Sequence, residues 1–210
     1  SEDSLFLEEG KNLLIEEFGK EYTTYFSILS LIASSKTSRS AIESILERNI
    51  GGYLDRLENE YTVIKKIKPV LAKEGSRTQK YEISDNFFNF WFRFIYKNKS
   101  AVEIGNYAYV RSIVERDFSL FSGKFLEKYF IETLKTSGEY STIGTYWERS
   151  NQNELDIVAI NEIGKKVLIA EVKLNARKID LEVVKQKSLT LSEAFKSYAI
   201  EYRGYSLQDM

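Results

Sequence analysis

Two charged clusters in the second half of the chain could do chemistry together. Asp156 lies in Glu154-Leu155-Asp156-Ile157-Val158, and Ile169-Ala170-Glu171-Val172-Lys173 follows one hairpin later. Along a β-strand, residues i and i+2 point to the same face. Glu171 and Lys173 therefore share a face, and Ala170 and Val172 take the other. Asn161-Glu162-Ile163-Gly164 reads as the reversal between the strands, with Gly164 free to take positive φ. A hairpin closed there places Asp156 within about two residues of the position across from Glu171. Two carboxylates that close repel unless a cation joins them. Mg²⁺ suits the pair, because it is hard and takes oxygen ligands, waters and phosphate oxygens. The lysine could orient or deprotonate a water, or stabilise a pentavalent phosphate. The expected chemistry is phosphodiester cleavage, with Asp156 and Glu171 as metal ligands. The plainer alternative is a solvated strand end, where an acid beside a lysine is commonplace.

The elements expected around these residues run helix, strand, strand, strand, helix, strand. They fall at 123–137, 140–147, 154–160, 166–173, 179–193 and 197–202. That order, with Asp156 and Glu171-Val172-Lys173, resembles the αβββαβ core of PD-(D/E)xK nuclease-like domains. The resemblance implies that Asp156, Glu171 and Lys173 are catalytic and that Mg²⁺ is the cofactor. It implies a glutamate on the first helix, for which Gly123-Lys124-Phe125-Leu126-Glu127 offers Glu127. It also implies a polar residue from the helix after the strands, where Lys185 and Gln186 are candidates. Leu155 stands where the family often has proline before the aspartate. Glu127 reads equally as a helix-surface ion pair with Lys124 or Lys128.

Composition removes other chemistries. The 210 residues contain no cysteine and no histidine. Thiol nucleophiles, disulfides, serine–histidine triads and histidine metal sites are all excluded. Catalysis would rest on carboxylates, lysine, hydroxyls and a bound metal. With 43% hydrophobic and 29% charged residues the chain is ordinary for a globular protein, and its net charge of −1 makes it no bulk polyanion binder. No apolar run reaches the roughly twenty residues of a membrane span, so the expected location is the cytoplasm, with no membrane partner. The opening Ser1-Glu2-Asp3-Ser4 reads as mid-protein, which suggests a piece of a longer chain.

The first half reads as a winged helix-turn-helix. Tyr25, Phe26, Leu29, Ile32 and Ala33 recur at helical spacing over 22–33. Ser38 caps a helix over 39–46, and a third helix is expected over 52–61. A strand over 63–70, a turn at Gly75-Ser76-Arg77 and a strand over 79–83 form the wing. Arg39, Arg56, Lys65, Lys66, Arg77 and Lys80 are the candidate nucleic-acid contacts. Asp55, Glu58 and Glu60 on the third helix argue against its entering a major groove.

Phe87-Phe88-Asn89-Phe90-Trp91-Phe92-Arg93-Phe94-Ile95-Tyr96 is aromatic almost all round, as a buried helix would be. Stacking on bases would instead require exposed rings. Lys97-Asn98-Lys99-Ser100 reads as a linker, followed by a helix over 107–118. The wing ending Tyr81-Glu82-Ile83-Ser84-Asp85-Asn86-Phe87-Phe88, the aromatic run, Tyr146-Trp147 and the two charged clusters together resemble the C-terminal region of archaeal-type P-loop ATPases. In those proteins an ATP-binding module precedes a winged helix and a nuclease-like domain. The stretch 5–18, with Leu7, Leu13, Leu14 and Phe18, resembles the last helix of the ATPase lid. No Gly-Lys-Ser/Thr loop occurs, so ATP binding by that device is excluded.

The expected fold is thus two-domain, α+β or α/β, with a winged helix over 1–104 and a nuclease-like domain over 105–210. The expected function is that of a DNA-associated module of an ATPase, with a Mg²⁺-dependent nuclease site. The alternative is a non-catalytic DNA- or protein-binding regulatory module. A dimeric operator-binding regulator is a third reading, opposed by the acidic third helix.

Overall fold

A computed structural model describes residues 5–73, 75, 76, 78–148 and 152–210, with side chains from residue 11 onward except Leu13. The fold is mixed α+β, with helices and two sheets. It divides into two compact units, Ser1–Ile67 with Gln79–Arg116, and Lys68–Thr78 with Asp117–Met210. Among the described residues no helix is long and apolar enough to cross a membrane.

The first unit begins with α1 (Leu5–Phe18), α2 (Tyr22–Ala33), α3 (Arg39–Leu46) and α4 (Gly51–Asn59). Ser38 starts α3 by accepting the Ala41 N–H at 3.3 Å, one of the donors a helix start leaves unpaired. β1 (Ile64–Ile67) and β2 (Lys80–Ile83) form an antiparallel pair, Ile64 opposite Ile83. Leu14 and Phe18 of α1 are buried in this unit's core; Leu7 and Leu13 lie outside the described side chains.

The aromatic run is irregular helix: α5 (Asn86–Phe90), a π-helical turn (Trp91–Ile95) and a 3₁₀ turn (Tyr96–Asn98), started by Asp85 accepting the Phe88 N–H at 2.9 Å. Trp91, Phe92 and Phe94 are fully buried, so their faces are closed to bases. Phe26 of α2 packs edge-on against Trp91, Phe92 and Tyr96 at 5.2–6.0 Å between ring centres. The linker expected at 97–100 is helical instead, running into α6 (Lys99–Glu103), because Lys97 to Glu103 contains no breaking residue.

α7 (Tyr107–Thr136) is one continuous helix where separate helices over 107–118 and 123–137 were expected. Gly123 is tolerated within it, since a single glycine costs about 1 kcal/mol and Lys124, Leu126, Glu127 and Lys128 after it are strong helix formers.

The second sheet has the order β3 (Thr142–Tyr146), β4 (Leu155–Asn161), β5 (Lys166–Val172), β6 (Ala199–Tyr205). β3, β4 and β5 are antiparallel neighbours, and β6 runs parallel to β5. The parallel return is made through α8 (Leu181–Lys187) and α9 (Leu189–Glu193), separated at Ser188, where one helix over 179–193 was expected. Leu126 and Phe130 of α7 cover one sheet face over Ile157, Ala170 and Val172. Val184, Leu191 and Phe195 cover the other over Val158, Val167 and Ile169. The β4–β5 reversal closes without positive φ at Gly164. Lys165 takes the left-handed conformation at φ 49°, and Asn161 Oδ1 accepts the Gly164 N–H at 2.7 Å.

Candidate functional site

Strand pairing sets the first distance. Ile157 faces Ala170, so Asp156 comes opposite Glu171 where β4 begins and β5 ends. The sheet is not regular there. Gly144 pairs with Val158 and Tyr146 with Leu155, so two steps along β3 match three along β4. That extra residue is a β-bulge, a feature that re-aims side chains beside a site. Its effect shows in the core. Leu155 and Val158 lie in one apolar cluster while Ile157 lies in the other.

The re-aimed Asp156 is held by the neighbouring strand. Its Oδ2 accepts the Val172 N–H at 2.8 Å and lies 3.4 Å from Lys173 Nζ. Lys173 Nζ also lies 2.9 Å from Glu171 Oε1, and Glu171 Oε2 accepts the Asp180 N–H at 3.3 Å. Glu171 is 8% exposed, the most deeply buried charge among the described residues. A buried carboxylate is costly unless paired and hydrogen-bonded, and Glu171 has both kinds of partner.

The electrostatics separate the acids. Burial raises the Asp156 carboxyl above its ordinary range, against the lowering by the Val172 N–H and Lys173. Burial pushes Glu127, on α7, up to about 8; Asp156 and Glu154 add to the rise, and Lys124 and Lys173 oppose it. Glu127 is therefore protonated at neutral pH and is no ordinary surface ion-pair partner. Burial alone would lower Lys173, but Asp156 and Glu171 outweigh it and hold the ammonium above its usual range. A charged lysine at this position suits orientation of a phosphate and stabilisation of its negative charge.

Residues expected from the following helix fall elsewhere. Lys185 pairs with Glu182 at 2.6 Å, and Gln186 is exposed. Lys187 instead lines a cavity of about 10 Å³ with Glu154, Asp156, Glu171 and Val184. That is about the volume of a single water. The signal for Lys187 over Lys185 lies in the helix phase, which starts at Asp180, whose side chain accepts the Glu182 and Val183 N–H groups.

Two carboxylates fit Mg²⁺, which takes one or two protein carboxylates and completes its shell with waters and phosphate oxygens. Among the described residues no three or more His, Cys, Asp or Glu side chains are grouped to hold a metal.

Four of the basic candidates have acidic partners. Arg39 Nε lies 2.8 Å from Glu43 Oε1. Arg56 lies 3.7 Å from Glu21 and 3.8 Å from Glu60. Lys65 lies 3.9 Å from Glu82, and Lys66 pairs with Glu58. Lys80 lies on β2, and Arg77 falls outside the described residues.

A family described as archaea bacterial proteins of unknown function, DUF234, matches residues 91–188, a stretch that contains Glu127, Asp156, Glu171 and Lys173. The chain is also similar to the uncharacterized protein MJECL04 of Methanocaldococcus jannaschii, at 30% identity over 94% of this chain and 48% of that protein. The chain thus spans about half the length of the curated relative it matches. No solved structure matches.

Proposed function

We propose that the chain is a DNA-associated module of an archaeal-type ATPase, a winged helix followed by a PD-(D/E)xK nuclease-like core, and that the core hydrolyses phosphodiesters with Mg²⁺. The winged-helix reading is supported by α2, α3 and α4 followed by the β1–β2 hairpin. The nuclease-like reading is supported by the order α7, β3, β4, β5, α8, β6. The ATPase reading rests on the sequence resemblance, and the extra length of the M. jannaschii relative leaves room for such a module.

One observation carries the catalytic reading: Asp156 and Glu171, from neighbouring strands, meet at one ammonium within 3.4 Å. Asp156 and Glu171 would hold the metal, which when bound supplies charge stabilisation and a more acidic water. Val172 N–H fixes Asp156, and Asp180 N–H fixes Glu171. Lys173, held protonated, orients the scissile phosphate and meets its developing negative charge. Glu127, protonated at neutral pH, can lend a hydrogen-bond donor beside Asp156.

The test is cleavage of supercoiled, linear and single-stranded DNA in Mg²⁺ or Mn²⁺. The expected result is metal-dependent cutting that Asp156→Asn and Lys173→Ala abolish while circular dichroism stays unchanged. If the wild-type chain leaves all three DNAs intact with either metal, the catalytic reading fails. The second reading, a non-catalytic DNA- or protein-binding regulatory module, then stands. It is favoured by Lys173 satisfying both acids internally, and it requires that Asp156→Ala with Glu171→Ala leave binding intact or stronger.

A further inference from the structure

Some cations beside the acids of the second unit have no acidic partner, unlike the basic candidates Arg39, Arg56, Lys65 and Lys66 of the first unit. Arg177 and Lys178 are exposed, Lys187 is half-buried, and the side chains of all three make no hydrogen bond, ion pair or ring contact among the described residues. Arg39, Arg56, Lys65 and Lys66 each have a carboxylate within 4 Å. The difference matters for polyanion binding. Affinity for a phosphate backbone comes from cations replacing condensed counterions. A cation already neutralised by a carboxylate releases little, and an unpaired one contributes in full.

The unpaired cations also sit on a fixed frame beside the acids. Asn175 Oδ1 accepts the Arg177 N–H at 3.0 Å, and its carbonyl accepts the Lys178 N–H at 2.9 Å. Ile179 packs so closely on Gly204 that a Cβ there would lie 2.5 Å from Ile179 Cγ2. The next residue but one along, Asp180 after Lys178, donates its N–H to Glu171. At the far end of α8, Lys187 lines the same small cavity as Asp156 and Glu171. The acids on this segment are engaged locally: Asp180 caps α8, and Glu182 pairs with Lys185.

We propose that Arg177, Lys178 and Lys187 form the surface on which this protein holds the phosphate backbone of DNA, at the rim of the Asp156–Glu171 site. The inference rests on the reading that the chain meets DNA, and it assigns the grip to the second unit rather than to the helix-turn-helix. It does not require cleavage.

The test is fluorescence anisotropy of a labelled DNA duplex with the 210-residue chain in EDTA, across a salt series. Arg177→Ala, Lys178→Ala and Lys187→Ala combined should lower the slope of log affinity against log salt by about 2 to 3, and affinity at least about tenfold at 0.1 M salt. Arg177→Lys, Lys178→Arg and Lys187→Arg combined should bind like wild type. Arg39→Gln with Lys65→Gln should shift the slope by less than about 1. A rim variant with the wild-type slope overturns this surface while leaving DNA binding intact. A wild-type chain that binds no DNA at low salt overturns the surface and the DNA reading together.

Discussion

Val172 N–H donates to Asp156 Oδ2 at 2.8 Å, so the acid on β4 is aimed by the backbone of β5. That bond ties the two strands together just beyond their last backbone pair, Ile157 with Ala170. Asp156→Asn keeps an acceptor in place and should hold its melting temperature within about 2 °C of wild type. Asp156→Ala leaves the N–H without its acceptor and should cost about 1–3 kcal/mol in urea unfolding. Equal stability of the two variants would show that the bond does not hold the strand start.

Glu127 gives the protein a pH-dependent weakness. Its folded carboxyl is raised to about 8, above its unfolded value of 4.5. The folded state therefore binds the proton more tightly, and stability is full below about 4.5 and is lost as pH rises through about 8. Glu127→Gln should remove that slope and melt roughly 5 °C above wild type at pH 8, with little difference at pH 4.5. Parallel pH profiles for the two proteins would remove Glu127 as the source.

Lys173 is the counter-charge for two acids. Lys173→Met should destabilise the fold by about 2 kcal/mol at pH 8, less than a fully buried pair would lose because the side chain is partly solvated. The deficit should shrink toward pH 5, where Asp156, already raised by burial, takes up a proton more readily without the ammonium. Millimolar Mg²⁺ should restore more of the melting temperature in this variant than in wild type. A deficit independent of pH and of Mg²⁺ would point to lost packing of the lysine stem instead.

Gly204 pairs with Glu171 across β5 and β6. A methyl group there would meet Ile179 Cγ2 at 2.5 Å and Cδ1 at 2.9 Å. Gly204→Ala should cost about 1–3 kcal/mol by overpacking and loosen the segment that donates to Glu171. Ile179→Ala should offset much of that cost in the double variant, a coupling that a mutant cycle reads directly. Additive effects would mean that the backbone yields instead of the side chain.

Local period and turn chemistry made the elements readable. Glu171 and Lys173 share a face because a strand alternates, and Asn161 marked the reversal that brings Asp156 opposite Glu171. Ser38 announced the start of α3 by the same short-range logic. What stayed hidden depends on pairing between distant segments. The bulge at Asp156 arises from the match of β4 with β3, which neither strand encodes alone. The neutralisation of Arg56 needs Glu21, and that of Lys66 needs Glu58, from other elements. The choice of Lys187 over Lys185 follows from where Asp180 starts α8, and the positive φ at Lys165, not Gly164, from how the hairpin closes. The raised carboxyl of Glu127 could not be seen beside Lys124 and Lys128, because its burial depends on the packing around the helix rather than on its sequence neighbours.

The segment from Lys68 to Thr78 belongs with the second unit although it joins two strands of the first. Its Val70 is buried with Leu155, Val158 and Ile169, and donates its N–H to Thr145 O at 2.9 Å. Dissection of the molecule is constrained by that arrangement. A piece beginning at residue 105 would lack a side chain that completes its own apolar centre and a backbone donor that guards an edge strand. The acid-bearing portion is not self-sufficient after a single scission there, and its autonomy would require grafting those eleven residues back.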